Sequence, residues 1–240
     1  MLKNIKDVPE LQKEIMVGCD PEFFLYDTKL KQYVSAHEIV PGTKRDPFKI
    51  PGGAVQCDGT AVEFNIDPAR TREEFANNIN RVLTHIRKKI PKYLEFKFLP
   101  SIAYQMPYWE KLPDYCKESG CDPDYIGGYI REPKKIEYGQ VIGGGHIHMS
   151  WGVQDPVSLK HFNDCVGIVG LASYNFRYIL NMDKDSYRKY ITSMNIHRPK
   201  PYGVEYRSPS NMWLNTPDMW PKIFDIAKNT VLQHFGGHRG

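Results

Sequence analysis

The segment Gly18–Tyr26, GCDPEFFLY, alternates polar and apolar side chains with a period of two. Successive side chains of a β-strand point to opposite faces, so Phe23 and Leu25 point one way while Asp20 and Glu22 point the other. A helix would instead repeat its apolar residues every three or four positions. The segment therefore predicts a strand with one apolar face and one acidic face.

Three further segments repeat this alternation: Thr60–Ile66, His146–Trp151 and Val204–Arg207. Opposite their apolar residues they carry, in turn, Glu63 and Asn65, His146 and His148, and Glu205 and Arg207. Weaker strands are predicted near Gln32–Ala36 and Leu94–Leu99. The apolar faces are expected to lie against helices, and the polar faces are expected to share one side of a sheet.

Three segments have the periodicity of helices. At 72–89 an apolar stripe follows a capping box, Thr71-x-x-Glu74. A second helix is predicted from about 156 to 180, and a third from about 217 to 235, with Thr216 as N-cap and Pro217 at the first helical position. Clustered strands with interspersed helices predict an α+β fold, a largely antiparallel sheet with helices packed on one face. Residues 1–240 are expected to form a single domain.

The composition is that of an ordinary globular chain, with 41% hydrophobic and 25% charged residues among 240. It excludes intrinsic disorder, collagen and a disulfide-stabilised miniprotein. The net charge of +4 does not require a nucleic-acid partner but is compatible with an anionic ligand. The longest apolar stretch, 165–172, is far shorter than the roughly 20 residues that cross a bilayer, so no membrane partner is expected.

The five cysteines are an odd number, in a chain that begins without a charged-then-apolar leader. This usage predicts free thiols in a reducing cytoplasm. Cys116 and Cys121 have a C-x4-C spacing but no second cysteine pair or histidine pair nearby. We interpret them as loop thiols, and no structural zinc is predicted.

The polar face of the predicted sheet has five candidate metal ligands: Asp20, Glu22, Glu63, His146 and Glu205. Four carboxylates this close cannot all stay ionised unless cations compensate them. Carboxylates with one histidine suit Mg²⁺ or Mn²⁺ better than zinc, and two ions would divide five ligands. Arg207 and Arg198 supply planar donors for a phosphoryl group or a carboxylate. A solvated face is the alternative for any one strand, but such faces usually also carry Lys, Thr or Ser.

Four motifs, in this order and spacing, resemble the glutamine synthetase and glutamate–cysteine ligase superfamily of carboxylate–amine ligases. They are residues 18–25, Glu63 in VEFN, the glycine-rich 143–148 (GGGHIH) and 198–207 (RPKPYGVEYR). The resemblance covers about residues 18–210 and is greatest to the phage-encoded amidoligases. It implies a curved sheet like the glutamine synthetase catalytic domain, with the active site on the face away from the helices.

The resemblance also implies roles for single residues. Glu22 and Glu63 would bind one metal ion, and Asp20, His146 and Glu205 the other. Arg207 and Arg198 would contact the γ-phosphate, and His148 would approach the nucleotide phosphates. Asn65 and the glycines Gly143, Gly144 and Gly145 are candidate substrate contacts by position only. Asp20 stands where the superfamily usually has glutamate, so it is the candidate ligand that departs from the pattern of the superfamily.

The implied activity is ATP-dependent amide formation through an acyl phosphate, with two Mg²⁺ or Mn²⁺ ions and with ADP and phosphate as products. The partners would be small-molecule or peptide carboxylates and amines, in the cytoplasm of a host cell if the protein is phage-encoded. Because the chain has no room for the separate N-terminal domain of glutamine synthetase, glutamine synthesis itself is not expected. A small homo-oligomer is compatible with this interpretation.

Two other function classes remain open at this point. The same carboxylates, with His146 and His148, could activate water in a metal-dependent hydrolase that uses no nucleotide. Alternatively, the chain could be a non-catalytic binding module whose aromatic residues form a recognition surface. The candidate aromatics are Tyr104, Tyr108, Trp109 and Tyr125, although such clusters are more often part of a local core.

Overall fold

A computed structural model describes residues 8–117, 123–131 and 139–236, without the side chains of residues 8, 9, 190 and 191. Its strands are β1 Met16–Cys19, β2 Glu22–Asp27, β3 Gln32–Val34, β4 Phe48–Ile50, β5 Gly53–Asp58, β6 Ala61–Ile66, β7 Leu94–Lys97, β8 Ser101–Ala103, β9 Asp124–Ile126, β10 Tyr129–Arg131, β11 Gln140–Ile142, β12 Ile147–Ser150, β13 Ile196–Lys200 and β14 Gly203–Tyr206. Its helices are α1 Val8–Glu14, α2 Arg72–Lys89, α3 Met106–Lys111, α4 Leu159–Asn175, α5 Arg177–Met182, α6 Ser186–Ile191 and α7 Trp220–Gly236.

The strands form an antiparallel sheet that curls into a half-barrel, and the predicted α+β class is confirmed. One part has the strand order β1-β12-β14-β13-β9-β10, and the other has the order β3-β2-β6-β5-β4, with β7 also paired to β2. β8 and β11 form a separate pair. Helices α2, α4 and α7 pack together on one face of the curled sheet.

The predicted sorting of side chains between the two faces is confirmed. The apolar residues that were expected to face the helices all belong to one buried core: Phe23, Leu25, Val62, Phe64, Ile66, Ile147, Met149, Trp151, Val204 and Tyr206. The same core contains apolar residues of α2, α4 and α7. Because burial of apolar area is the main favourable term in folding, this shared core fixes which face of each strand remains for polar groups.

The predicted strand Gly18–Tyr26 is two strands, and this prediction was wrong in its continuity. Proline has a fixed φ and no N–H, so Pro21 interrupts the ladder between β1 and β2. The segment before β12 spans the interruption, because its carbonyl groups at His146 and Gly144 accept hydrogen bonds from the Asp20 and Glu22 amides. These two hydrogen bonds therefore connect the two parts of the sheet beside Asp20 and Glu22, the residues of the acidic face.

The helices lie where they were predicted: α2 has the predicted bounds, 72–89, and the other two have different boundaries. The Thr71 side chain caps α2 by accepting from the Glu74 amide, but the Glu74 carboxylate accepts from the Arg70 amide, one residue before the cap. The predicted helix 156–180 begins at Leu159, is capped by Ser158, and is interrupted at Phe176 between α4 and α5. The third begins as a 3₁₀ turn, Pro217–Met219, and the Thr216 side chain makes no cap bond.

A second, smaller core lies on the polar side of β2. It includes Phe24, Ile102, Tyr104, Trp109 and Val141. The Tyr104 ring stacks on both Tyr108 and Trp109. Three of the four aromatics considered for a recognition surface therefore form local core instead, and this core closes one end of the polar face.

The sequence predicted free thiols and no segment long enough to cross a membrane. Cys19, Cys57, Cys116 and Cys165 are free thiols, and Cys121 lies outside the described residues. Within the described ranges, every helix is too short or too polar to cross a membrane.

Candidate functional site

A cavity of about 200 Å³ opens on the polar face of the curled sheet. It brings together eight of the residues selected from the sequence: Asp20, Glu22, Glu63, Gly144, His146, Arg198, Glu205 and Arg207. These residues come from the β1–β2 junction and the start of β2, from β6, from the segment before β12, from β13, and from β14 with the residue that follows it. Alternation along each strand placed them on one face, and the curl of the sheet turns that face into a concave wall.

Strand register sets which of these groups are neighbours. Glu22 lies directly opposite Glu63 across the β2–β6 pair. Glu205 lies opposite His148 on one side and Arg198 on the other. Directly opposed side chains on one face have Cβ atoms about 4.5–5.5 Å apart, so the pairing places unlike groups around Glu205 and like charges around Glu63.

The acidic side of the cavity is formed by Glu22, Glu63 and Asp58. The Glu22 Oε2 atom accepts from the Gly144 amide at 2.8 Å, and Glu63 Oε2 accepts from Gln56 Nε2 at 2.7 Å. Burial, with the charges of Asp20, Asp58 and Glu22, raises the pKa of Glu63 well above its ordinary value. This crowding of carboxylates is the electrostatic condition that a divalent cation relieves.

Asp20 lies between two histidines in the centre of the site. Its Oδ1 atom is 2.8 Å from His148 Nε2 and 3.4 Å from His146 Nδ1. Burial alone would raise the pKa of Asp20, but His148 and hydrogen bonds from both histidines lower it to about 2. His146 Nδ1 is also 3.7 Å from Glu205 Oε1. The central carboxylate is therefore ionised and held by imidazole groups on two sides.

The basic side of the cavity surrounds Glu205, whose side chain is 1% exposed. Lys200 Nζ lies 2.8 Å from Glu205 Oε2, Arg207 Nη1 donates to Glu205 Oε1, and Arg198 Nη1 is 3.9 Å from the same oxygen. Burial would raise the pKa of Glu205, but Arg207, the two histidines and Lys200 lower it well below its ordinary value. For Arg207, burial would lower the pKa, but the charges of Glu205 and Asp124 outweigh burial and raise it above its ordinary value.

Asp124, at the start of β9, contacts both arginines. Its Oδ1 atom lies 3.0 Å from Arg198 Nε and 3.0 Å from Arg207 Nε. The sequence analysis did not select Asp124, because its segment is short and shows no alternation. Only the pairing of β9 with β13 brings this carboxylate to the site.

Among the described residues, the group with metal-ligand spacing is Asp20, His148 and Glu205, whose ligand atoms lie within 4.8 Å of one another. The resemblance had implied His146 in place of His148 for this ion. In the structure both imidazoles face Asp20, and Glu22 and Glu63 remain available as a second pair of oxygen ligands. The donor set, mainly carboxylates, suits Mg²⁺ or Mn²⁺.

His148 and Asn65 line a second cleft beyond Asp20 and not the main cavity. Ser150 and Tyr202 line this cleft with them, and the Tyr202 hydroxyl is hydrogen-bonded to His148 Nδ1. Asp20 lines both spaces. The residue proposed as a phosphate contact and the residue proposed as a substrate contact thus lie on the far side of the central carboxylate.

The glycines at 143–145 are required by close packing. A Cβ at Gly144 would lie 2.1 Å from the His146 ring, and one at Gly145 would lie 2.3 Å from the Ser210 carbonyl oxygen. Gly143 is similarly crowded by the Asn211 amide. Of the three, only Gly144 lines the cavity. We therefore attribute this glycine run first to the close approach of its backbone to His146, Ser210 and Asn211.

Four further basic residues in the cavity wall were missed by the sequence analysis: Lys44, Arg131, Arg188 and Lys200. Lys200 lies two positions after Arg198, and reading 196–200 as a strand would have placed both on the polar face. Arg188 lies on α6, is 2% exposed, and donates to the Pro209 and Gly143 carbonyl oxygens at 2.8 and 3.3 Å. Its role in holding the glycine segment depends on tertiary contacts, which no sequence pattern indicates.

No protein-family model matches the chain, and none of the curated proteins matches its sequence. Function is therefore inferred from the geometry of the cavity and from the order of the four motifs.

Proposed function

We propose that this protein is an ATP-dependent carboxylate–amine ligase, which forms an amide through an acyl phosphate and releases ADP and phosphate. One observation carries the proposal: a single cavity has carboxylates with imidazole on one side and paired arginines on the other. A phosphoryl-transfer site needs both, cations to hold the nucleotide phosphates and fixed positive groups for the transferred phosphoryl. The order of the motifs, which resembles the glutamine synthetase superfamily, is the second support.

The charges of the cavity wall are compatible with a triphosphate. Six acidic and six basic side chains line it, so the wall is close to neutral by formal charge. Two divalent cations would add four positive charges, which balance the roughly four negative charges of ATP at neutral pH. Without the cations, the acidic side would repel the same phosphates.

The described residues fit such ions. Glu22 and Glu63 would hold one, and Asp20 and Glu205 with His146 or His148 would hold the other. When bound, the ions neutralise negative charge that spreads over the transferred phosphoryl group. The crowded acidic side, where the pKa of Glu63 is raised, is the observation that supports a cation there.

The protein's own residues supply orientation and fixed charge. Arg198 and Arg207 donate hydrogen bonds to the phosphoryl oxygens, and the Glu205 carboxylate lies beside both guanidinium groups. An oxygen of the substrate carboxylate attacks the γ-phosphorus, and the bond to ADP breaks. The amine nitrogen then attacks the acyl carbon, loses a proton, and phosphate leaves. Small molecules or peptides in the cytoplasm are the substrates we propose.

Nucleotide turnover by the purified protein tests this function. The assay would use Mg²⁺ or Mn²⁺ with pooled amino acids, small acids and polyamines, and it would separate ADP from AMP. We expect ADP that depends on the pool and falls at least about 100-fold in Glu63→Gln, because an essential oxygen ligand is lost. Glu73→Gln, an exposed glutamate on α2, is the matched control and should keep wild-type turnover. Formation of AMP, or full activity of Glu63→Gln, would contradict the proposal.

A nucleotide-independent metal hydrolase is the second candidate, and the compact Asp20, His148 and Glu205 group favours it. One ion held by two carboxylates and one imidazole could activate water. This candidate predicts metal-dependent hydrolysis without ATP and no stabilisation of the protein by Mg-ATP in a thermal-shift titration. The ligase predicts a clear stabilisation by Mg-ATP even when the correct acid or amine is absent.

A further inference from the structure

We propose that Asp124 is a positioning residue, which orients the guanidinium groups of Arg198 and Arg207 towards the cavity. The proposal rests on the proposed ligase function, in which both arginines contact the transferred phosphoryl group. The sequence assigned no role to Asp124, and its carboxylate is the group that the two arginines share. A single Oδ1 atom lies 3.0 Å from both Nε atoms.

The contacts leave each arginine held from two directions. Asp124 faces the Nε atoms, while Glu205 faces Nη1 of both side chains. The contacts of Asp124 with the two Nε atoms are close ion pairs and not directed hydrogen bonds. They therefore hold each planar guanidinium group by charge, at its Nε side, while Glu205 holds it at Nη1. The side chain of Asp124 is 16% exposed, and those of Arg198 and Arg207 are 10% and 18% exposed. Solvent therefore has little access to replace these contacts.

Asp124 is itself fixed by the sheet. The next two residues, Tyr125 and Ile126, pair in register with His197 and Ile196 of β13. The Tyr125 ring packs against both Phe162 and His197. The backbone next to the Asp124 carboxylate is therefore held by strand pairing and by the packed Tyr125 ring. This favours a carboxylate that stays in place and supports the arginines over one that moves away when substrate binds.

Two substitutions separate the position of the carboxylate from its charge. Asp124→Asn keeps the size and removes the charge, whereas Asp124→Glu keeps the charge and moves it by one methylene. Positioning predicts that both lower kcat about 10–100-fold while the KM for ATP changes less than about threefold, by analogy with residues that orient metal ligands. A role in charge balance alone predicts wild-type kcat for Asp124→Glu. Asp218→Asn, an exposed aspartate, is the matched control.

The ¹H–¹⁵N signals of the arginine Nε–H groups give a readout that does not need turnover. The signals of Arg198 and Arg207 are assigned by their loss in Arg198→Lys and Arg207→Lys. Both should exchange slowly with solvent in the wild type, and both should shift and exchange faster in the two Asp124 variants. If either variant does not fold, the other provides the measurement.

The outcomes for Asp124 and for the ligase function are distinguishable. Unchanged Nε–H signals in the Asp124 variants, tighter binding of ATP by Asp124→Asn, or wild-type kcat in Asp124→Glu would overturn the positioning role. A wild-type protein that neither binds nor turns over Mg-ATP would overturn the ligase function. In that case displaced Nε–H signals would still establish that Asp124 orients the two arginines.

Discussion

The two sides of the cavity differ in the charges that surround a buried glutamate. On the acidic side, Glu63 faces other carboxylates and has only the Gln56 amide as a hydrogen-bond donor among the described residues. On the basic side, Glu205 is surrounded by Arg207, Arg198 and Lys200. Both glutamates are almost fully buried, at 8% and 1% exposure. The comparison indicates that the described residues compensate the charge of Glu205 but not that of Glu63, which must bind a proton or, as we propose, a cation.

The substitution Glu205→Gln should have the largest effect on stability. It would leave up to three cationic side chains without their buried carboxylate, and removing one partner of a buried ion pair typically costs about 3–5 kcal/mol. Urea unfolding at pH 7 measures the loss. Glu95→Gln removes an exposed carboxylate that pairs with Lys97, and as a control it should change stability by less than about 1 kcal/mol.

The pH dependence of this effect follows from the lowered pKa of Glu205. Its contribution to stability is present above the ordinary value of 4.5 and is lost as pH falls towards the lower value of the folded protein. The difference between wild type and Glu205→Gln should therefore be constant at neutral pH and narrow below about pH 4.5. A difference that is small at pH 7 would show that the basic side does not depend on Glu205.

The substitution Glu63→Gln should have the opposite sign in the absence of metal. Because the pKa of Glu63 is raised, the folded protein binds its proton more tightly, and wild-type stability declines as pH rises from 4.5 through the higher folded value. The uncharged amide of the variant would avoid this loss, and its oxygen could still accept from Gln56. We expect a higher Tm at pH 7, by about 2–4 °C for each kcal/mol relieved, and no difference below pH 4.5.

Addition of Mg²⁺ should reverse the order of the two proteins. An ion that binds only the folded state stabilises it by about 2.7 kcal/mol at a concentration 100 times its Kd, and the wild type should bind it more tightly. Thermal unfolding with and without Mg²⁺ at pH 7 measures both effects. If Glu63→Gln is less stable than wild type without metal, groups of the protein itself compensate the charge of Glu63. That result would contradict the proposed difference between the two sides of the cavity.

Alternation along the strands was enough to predict which side chains share the cavity. It correctly sorted the apolar residues into the core, and it grouped Asp20, Glu63, Glu205 and Arg207 on the other face because that sorting depends only on the period of a strand. It could not separate His146 from His148, since both have the same phase. Their different surroundings depend on the break at Pro21 and on the position of Tyr202.

The missed residues show what local pattern cannot supply. Pro199 weakens any prediction of a strand at 196–200, but the structure has a strand there. Among the described residues, β13 pairs with β9 only at Ile196 and His197, before the proline. Pro199 therefore lies where β13 has only β14 beside it, a position that tolerates proline. Asp124 reaches the site through strand pairing far along the chain, and Arg188 through a helix. Such contacts are set by topology and are not encoded in a short window.

The smallest effect is expected for Lys200→Met, which removes one cation but keeps most of the apolar stem. Lys200 is 30% exposed and lies 2.8 Å from Glu205, whose other oxygen is already bound by Arg207. We expect a loss of about 1 kcal/mol at low salt, measured by urea unfolding, that decreases as ionic strength rises because the ammonium group is partly exposed to solvent. A loss as large as that of Glu205→Gln, independent of salt, would mean that Lys200 and not Arg207 is the main counter-charge of Glu205.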